Sequence, residues 1–375
     1  MKLIPLSMLA AAFMLAAAPA AMAAKDLKAS NWLPPKFPNS VGMKAFIDEI
    51  EKSTGGAVKF RLFTGGALFS AKATLDGIKT ASADVGHIVY TYFPAEFPTA
   101  QLVSDLSMVG TDPHAASAAL TELRMLHCDL CQAEEKAQNL VYLGSYSTTP
   151  YVMHSKFEIK SAADLAGKKQ RSGGPLWDRW TTFVGGVPVN TPSSEMYEAL
   201  ERGQIDVAIY AAGGLKTHGL GDVAKYVTML PLGGFRAATV FAFNRDTWKG
   251  LTVDERKAAL KAAPLGLVVT NLEYQNGDKE GLKVAEQKKI AVVQPSDALS
   301  KTLEEFIQKD LSFTVENAKS EYKIENPQAI IDKYKELYAK YEPLMAGKAE
   351  DRDAMVKVFY DEIFAKVDAA NYGVN

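Results

Sequence analysis

The chain reads as an α/β protein of two lobes with a helical tail, and three observations predict this. Strand-like and helix-like runs alternate from residue 26 to residue 90 in the order β-α-β-α-β. The alternation begins again at Ala162. Beyond residue 250 apolar residues recur at helical spacing almost to the end. With 375 residues, 47% hydrophobic and 23% charged, the chain can bury two cores. No solenoid-type repeat and no low-complexity linker interrupts it.

Asp26–Trp32 reads as the first strand, ending in the loop LPPKFPNS. Asn39 or Ser40 is expected to cap an amphipathic helix through Ser53, with Val41, Phe46, Ile47 and Ile50 on its apolar face. Thr54-Gly55-Gly56 stops that helix, and Val58–Phe63 alternates as a strand. Ala71–Ala81 reads as a helix and Asp84–Tyr90 as the third strand of a largely parallel sheet. Ligands usually sit in loops leaving the carboxyl ends of such strands. Asp112–Gln138 reads as one or two helices, followed by strands at Leu140–Gly144 and Tyr151–Ser155.

The second unit carries predicted strands at Gly167–Arg171, Val187–Asn190, Ile205–Tyr210 and Tyr226–Met229, with helices near 175–185 and 193–202. Ala237–Asn244 reads as a strand that can return to the first lobe. A helix starts at Leu251-Thr252-Val253-Asp254-Glu255 and runs to about Lys289, with Pro264 as the expected kink. Ile290–Val293 is a short strand. Thr302–Glu321, Pro327–Met345 and Asp351–Ala370 are the tail helices. The expected division is 24–148 plus about 234–260 for the first lobe, 149–233 plus about 270–300 for the second, and 301–375 for the helical extension.

Residues 1–23 carry one basic residue, an alanine-rich apolar run and Ala21-Met22-Ala23, which reads as a secretory signal cut near Ala23. Pro19 and the small residues at its end argue against an anchor, and no cysteine stands at the cut for lipid attachment. The charge of −2, with no basic stripe, argues against a nucleic-acid partner. Export favours a disulfide between the two cysteines, Cys128 and Cys131, whose Cα atoms would stand ~5 Å apart on a helix. Metal binding with His127, a redox centre and free thiols are the other readings. His87, His114, His127, His154 and His218 are scattered and form no close metal pair; no metal and no cofactor is expected. The run AAGGLKTHGLGDV matches neither nucleotide-binding glycine spacing and reads as a flexible segment near a hinge.

Residues 164–206 hold the most informative pattern. Asp164-Leu165-Ala166-Gly167-Lys168-Lys169-Gln170-Arg171 is followed by Gly185-Gly186-Val187-Pro188-Val189. Then come Pro192, Glu195, Tyr197, Ala199, Leu200, Gly203 and Asp206 in order. This segment resembles the solute-binding proteins of the tripartite ATP-independent periplasmic (TRAP) transporters. Weaker likeness extends to Ser53-Thr54-Gly55-Gly56, Gly65-Gly66-Ala67-Leu68 and Phe243-Asn244-Arg245-Asp246-Thr247-Trp248. The resemblance implies a two-lobed periplasmic-binding-protein fold, in which the chain crosses a hinge several times and a long helix connects the lobes. It implies a non-enzymatic periplasmic protein that captures a small organic acid and delivers it to membrane permease subunits. It also implies that Arg171 pairs with the ligand carboxylate, a task suited to a planar, permanently charged fork.

The chain departs from the family in ways that bear on the ligand. Pro150 stands where members binding sugar acids have a second arginine, Tyr210 stands where asparagine is frequent, and Ile209 lacks the carboxylate of a metal-using branch. Trp32, Tyr90, Tyr92, Phe93, Trp177, Trp180 and Tyr210 are the candidate aromatic walls, and Arg236 is the candidate second cation. One carboxylate anchor among aromatic walls favours an aromatic or hydrophobic monocarboxylate. A C4-dicarboxylate is the alternative and needs that further cation. A sensor docking on a membrane receptor, and a secreted enzyme on the same scaffold, are the rival functions; the sequence has no paired carboxylates, nucleophile–base set or metal motif that an enzyme would need.

Overall fold

A computed structural model describes residues 24–375, so the leader assigned to residues 1–23 lies outside the described residues. The strands are β1 (Lys25–Ser30), β2 (Val58–Phe63), β3 (Val85–Val89), β4 (Leu140–Tyr142), β5 (Val152–Ser155), β6 (Lys169–Ser172), β7 (Val187–Asn190), β8 (Val207–Tyr210), β9 (Tyr226–Thr228), β10 (Ala238–Asn244) and β11 (Ala291–Val293). They form two sheets, ordered β2-β1-β3-β10-β4 and β11-β9-β5-β8-β6-β7. In the first, β1 pairs parallel to β2 and β3, while β10 runs antiparallel between β3 and β4. In the second, β6 pairs parallel to β7 and β8, and β5 runs antiparallel to β8 and β9. The chain is a mixed α/β fold of two lobes. It leaves the first sheet after β4, returns with β10, and leaves again to add β11 to the second sheet.

The helix Val253–Lys288 has 36 residues, spans about 54 Å at the ordinary rise per residue, and touches both lobes. Thr252 and Glu255 form a capping box at its start. The helix continues through Pro264, which removes one intrahelical donor without ending it. It lies close along the helix Pro38–Ser53 because both are glycines at the crossing. A Cβ on Gly42 would stand 1.9 Å from Thr270 Oγ1 and 2.6 Å from the Gly266 carbonyl. Phe46 stacks on Phe241 of β10 beside this crossing, with ring centres 4.1 Å apart. In the other lobe, Gly281 of the long helix meets the Ala212 carbonyl, and Asp278 accepts from the Gly213 amide at 2.7 Å. The glycine-rich run is therefore packed against the helix, with residues 211–215 buried, and is not the loose segment its composition suggests.

Several boundaries differ from those expected. The helix at 38–53 begins with Pro38, so Asn39 and Ser40 lie inside its first turn and Phe37 precedes it without a side-chain cap. The helix expected over 71–81 is only Thr74–Lys79. Residues 112–138 divide into Pro113–Leu126 and Asp129–Ala137, with Cys128 at the break. Cys128 and Cys131 are joined by a disulfide, their Cα atoms 5.3 Å apart. Two further helices, Pro98–Asp105 and Arg245–Gly250, are only eight and six residues long and were not expected. The tail consists of Asp297–Ser320, Pro327–Met345 and Arg352–Glu362, and the last helix stops eight residues short of Ala370. Pro327–Met345 lies along Pro113–Leu126 of the first lobe, where Tyr341 donates to Glu122 at 2.5 Å and Lys340 pairs with the same carboxylate at 2.7 Å. Among the described residues no helix is long and apolar enough to cross a membrane.

Candidate functional site

The lobes meet at the carboxyl ends of β1, β3, β6 and β8, where residues from both line a small, tightly closed cavity with about 20 Å³ of free space. From the first lobe come Trp32, His87 and Tyr92; from the second come Tyr151, Arg171 and Tyr210; the long helix adds Tyr274. The lobes are shut upon each other. Thr91 donates its hydroxyl to the Gly173 carbonyl at 2.7 Å, and the Ser193 amide donates to the Tyr92 phenol at 3.2 Å.

Among the described residues Arg171 is the one lysine or arginine on this cavity wall, and it is 1% exposed. β6 points it inward from its carboxyl end. Its Nε donates to the Thr191 carbonyl at 2.8 Å and its Nη1 to the Ile209 carbonyl at 3.1 Å. Those two bonds aim the guanidinium but do not neutralise it. Among the described residues it makes no ion pair, whereas Arg124 pairs with Glu135 at 2.6 Å and Arg179 with Asp105 at 2.9 Å. A buried, unneutralised guanidinium is costly and is relieved by an anion.

The rest of the wall is aromatic and uncharged. Tyr151 packs on Tyr210 with centres 5.1 Å apart and stacks on Phe235 at 6.2 Å. Burial pushes both phenols well above their ordinary range, and Arg171 offsets this only in part, so they are neutral hydroxyls at physiological pH. Across the cavity Trp32 stacks on His87 at 5.1 Å and 9°. His87 Nδ1 lies 3.3 Å from Asn31 Oδ1, and its Nε2 lies 3.3 Å from the Tyr146 hydroxyl. The carbonyl oxygen facing Nδ1 assigns the proton there and leaves Nε2 to accept from Tyr146. Burial pushes the His87 pKa down to about 3, so this ring adds no charge. Tyr146 stacks on Tyr274, whose hydroxyl donates to Asn39 at 2.9 Å.

Of the expected site residues, the cavity brings together Arg171, Trp32, Tyr92 and Tyr210. The others stand elsewhere. Tyr90 turns into the first lobe, donating to Glu135 at 2.7 Å beneath the Arg124 guanidinium. Phe93 is half-buried off the wall. Trp177 forms a second layer, packed on Tyr151 and donating to the Leu232 carbonyl at 2.8 Å. Trp180 faces Phe306 of the tail. Arg236 is not a second cation of the cavity. It is buried and donates to the carbonyls of Ser107 at 2.9 Å and Val109 at 3.0 Å and to the Tyr334 phenol.

Sequence reasoning missed Tyr146, Tyr151, Ser193, Phe235 and Tyr274, and left His87, which follows Gly86 within a strand, open between core and cleft. Tyr274 in mid-helix looks like any core aromatic. A wider cleft beside Arg124, Tyr142, Arg245 and Tyr372 lies away from these strand ends, and its arginines are engaged by Glu135 and by the Gly373 carbonyl. Among the described residues no three His, Cys, Asp or Glu side chains are placed to hold a metal ion.

The profile of the family described as bacterial extracellular solute-binding protein, family 7 (DctP), matches residues 29–318. A solute-binding protein of Albidiferax ferrireducens is 23% identical over 50% of this chain and 54% of its own length, so the chain matches about half of that relative. A TRAP periplasmic solute-binding protein from Desulfovibrio salexigens, solved in an open complex, is 25% identical; the match covers 88% of this chain and 99% of that one, with a TM-score of 0.68. A TRAP solute-binding protein from Rhodoferax ferrireducens, solved with copurified benzoate, shares the fold at 21% identity, 86% and 99% coverage and a TM-score of 0.75. Two lobes, a cleft at the strand ends and a profile match over most of its length make this chain a member of extracellular solute-binding protein family 7, the binding proteins of TRAP transporters.

Proposed function

We propose that the protein captures an aromatic or hydrophobic monocarboxylate in the periplasm and hands it to TRAP permease subunits. The observation that carries this is Arg171, a buried guanidinium with two neutral hydrogen bonds and, among the described residues, no carboxylate paired with it, set among aromatic rings. A carboxylate on its cavity side would supply the missing charge and form charge-assisted hydrogen bonds. The rings of Trp32, Tyr151, Tyr210 and Phe235 would hold the apolar part, and the phenols would position a hydroxyl or keto group where the acid has one. The related Rhodoferax protein, solved with benzoate, supports an acid of this size and shape.

A C4-dicarboxylate fits less well. Its second carboxylate needs a second cation, and Arg236 is committed elsewhere. Closure of the lobes would exclude water and strengthen the pairing. A thermal-shift series with benzoate, phenylpyruvate, succinate and benzamide tests the reading. Stabilisation by the aromatic acids over succinate and benzamide is expected; stabilisation by benzamide as strong as by benzoate, or by succinate alone, would overturn it.

A further inference from the structure

Away from the cavity, the lobes meet at a second, charged contact. Arg179 lies on the second-lobe helix Pro175–Phe183 and is half wrapped by the tail helix Asp297–Ser320. Its Nε and Nη2 grip both oxygens of Asp310 at 2.5 and 2.9 Å. Its remaining nitrogen, Nη1, crosses to the first lobe and meets Asp105 at 2.9 Å, at the end of the helix Pro98–Asp105. The other Asp105 oxygen accepts from the Tyr322 hydroxyl at 3.2 Å. The Asp105 side chain is wholly buried, and that of Asp310 nearly so. Asp178, the residue before Arg179 on the second-lobe helix, is a further, half-buried carboxyl with one oxygen unpartnered.

We propose that Arg179 is the positioning residue that latches the lobes shut, and that closing the latch takes up a proton because one guanidinium faces two carboxylates. Asp310 sits on the tail helix, which touches both Pro98–Asp105 of the first lobe and Pro175–Phe183 of the second, so the bond from Arg179 to Asp105 is the one that joins the two lobes directly, and we assign it to closure. A single cation cannot neutralise two buried carboxylates, and the cluster reaches neutrality by accepting a proton. Burial, opposed by Arg179, pushes the Asp105 pKa up to about 7. Opening the lobes would expose Asp105 and return it toward the ordinary carboxylate range. Closure then takes up a proton between those limits. It is favoured as pH falls below about 7 and weakened above it.

This rests on the solute-binding reading only in that closure is what traps the acid. Its test uses no ligand, so a result against Arg171 leaves it standing. Small-angle scattering of the ligand-free, full mature chain would be recorded at pH 6 and pH 8.5 for wild type, Arg179→Gln, Asp105→Asn and the double variant. Wild type should be more compact at pH 6. Arg179→Gln should lose about tenfold or more of its closed population at both pH values, since it strands buried carboxylates. Asp105→Asn should stay compact at both, and the double variant should regain closure. If Arg179→Gln fails to fold, the pH profile of Asp105→Asn decides. A wild-type profile that is open at both pH values, an Arg179→Gln profile matching wild type, or a surviving pH step in Asp105→Asn would overturn the proposal.

Discussion

The guanidinium carbon of Arg171 lies 5.9 Å from the centre of the Tyr210 ring. The two residues are brought together by strand register. Arg171 of β6 pairs with Ala208 of β8, so Tyr210, two residues on, points to the same face. Charge and aromatic surface thus arrive in one cavity from neighbouring parallel strands. Replacing Arg171 by Met keeps the volume and removes the charge. We expect at least a hundredfold loss of affinity for aromatic acids by calorimetric titration. The melting temperature of the acid-free variant should be unchanged or higher, because an unneutralised buried cation has gone.

Gly174 sits at a close contact between the lobes. A Cβ there would stand 2.9 Å from Thr91 Cγ2 and 3.1 Å from Ser104 Oγ across the interface. Gly174→Ala should therefore wedge the lobes apart and weaken acid binding by about tenfold, with each lobe intact by circular dichroism. Unchanged affinity would show that the contact yields without cost.

The helix crossing at Gly42 makes the opposite kind of prediction, one about stability rather than closure. Gly42→Ala forces a methyl group into Thr270 and the Gly266 carbonyl, at positions held by packed helices. A loss of about 2–3 kcal/mol in urea unfolding is expected.

Buried histidines set a stability limit in acid. Burial pushes His87 down to about 3 and His154 to about 4. Unfolded histidines take up protons below about 6.5 while these two do not, so stability is fully present above that pH and is lost as pH falls toward 3–4. The melting temperature should decline between pH 6.5 and 4, and His154→Gln should make that decline shallower. This runs opposite to the effect expected at Asp105, whose proton uptake favours closure in the upper part of the same range.

Much of the architecture was legible because the physics behind it is local. Val58–Phe63 and Val187–Asn190 show as strands by residue type and flanking glycines, and the long helix announces itself by its capping box. The arginine was legible through the family resemblance of residues 164–206; its place at a strand end before a glycine pair fits that role but does not single it out. The cavity partners were not, because their placement depends on how two lobes meet. Trp177 and Tyr151 are adjacent in space, yet only Tyr151 reaches the cavity; the packing of a helix face against a sheet decides this. Arg236 shows the same limit in reverse. Its Gly-Gly-Phe-Arg context is that of a loop near the cleft, but four backbone carbonyls and Tyr334, about a hundred residues away, claim its nitrogens.

The most direct measurement compares wild type and Arg171→Met by thermal shift against small aromatic acids and their neutral amides. Selective stabilisation of the wild type by one or more acids, absent with the amides and abolished in the variant, is the predicted result. Equal stabilisation of both proteins by the acids, or by the amides as well as the acids, would contradict the claim that this guanidinium recognises the solute.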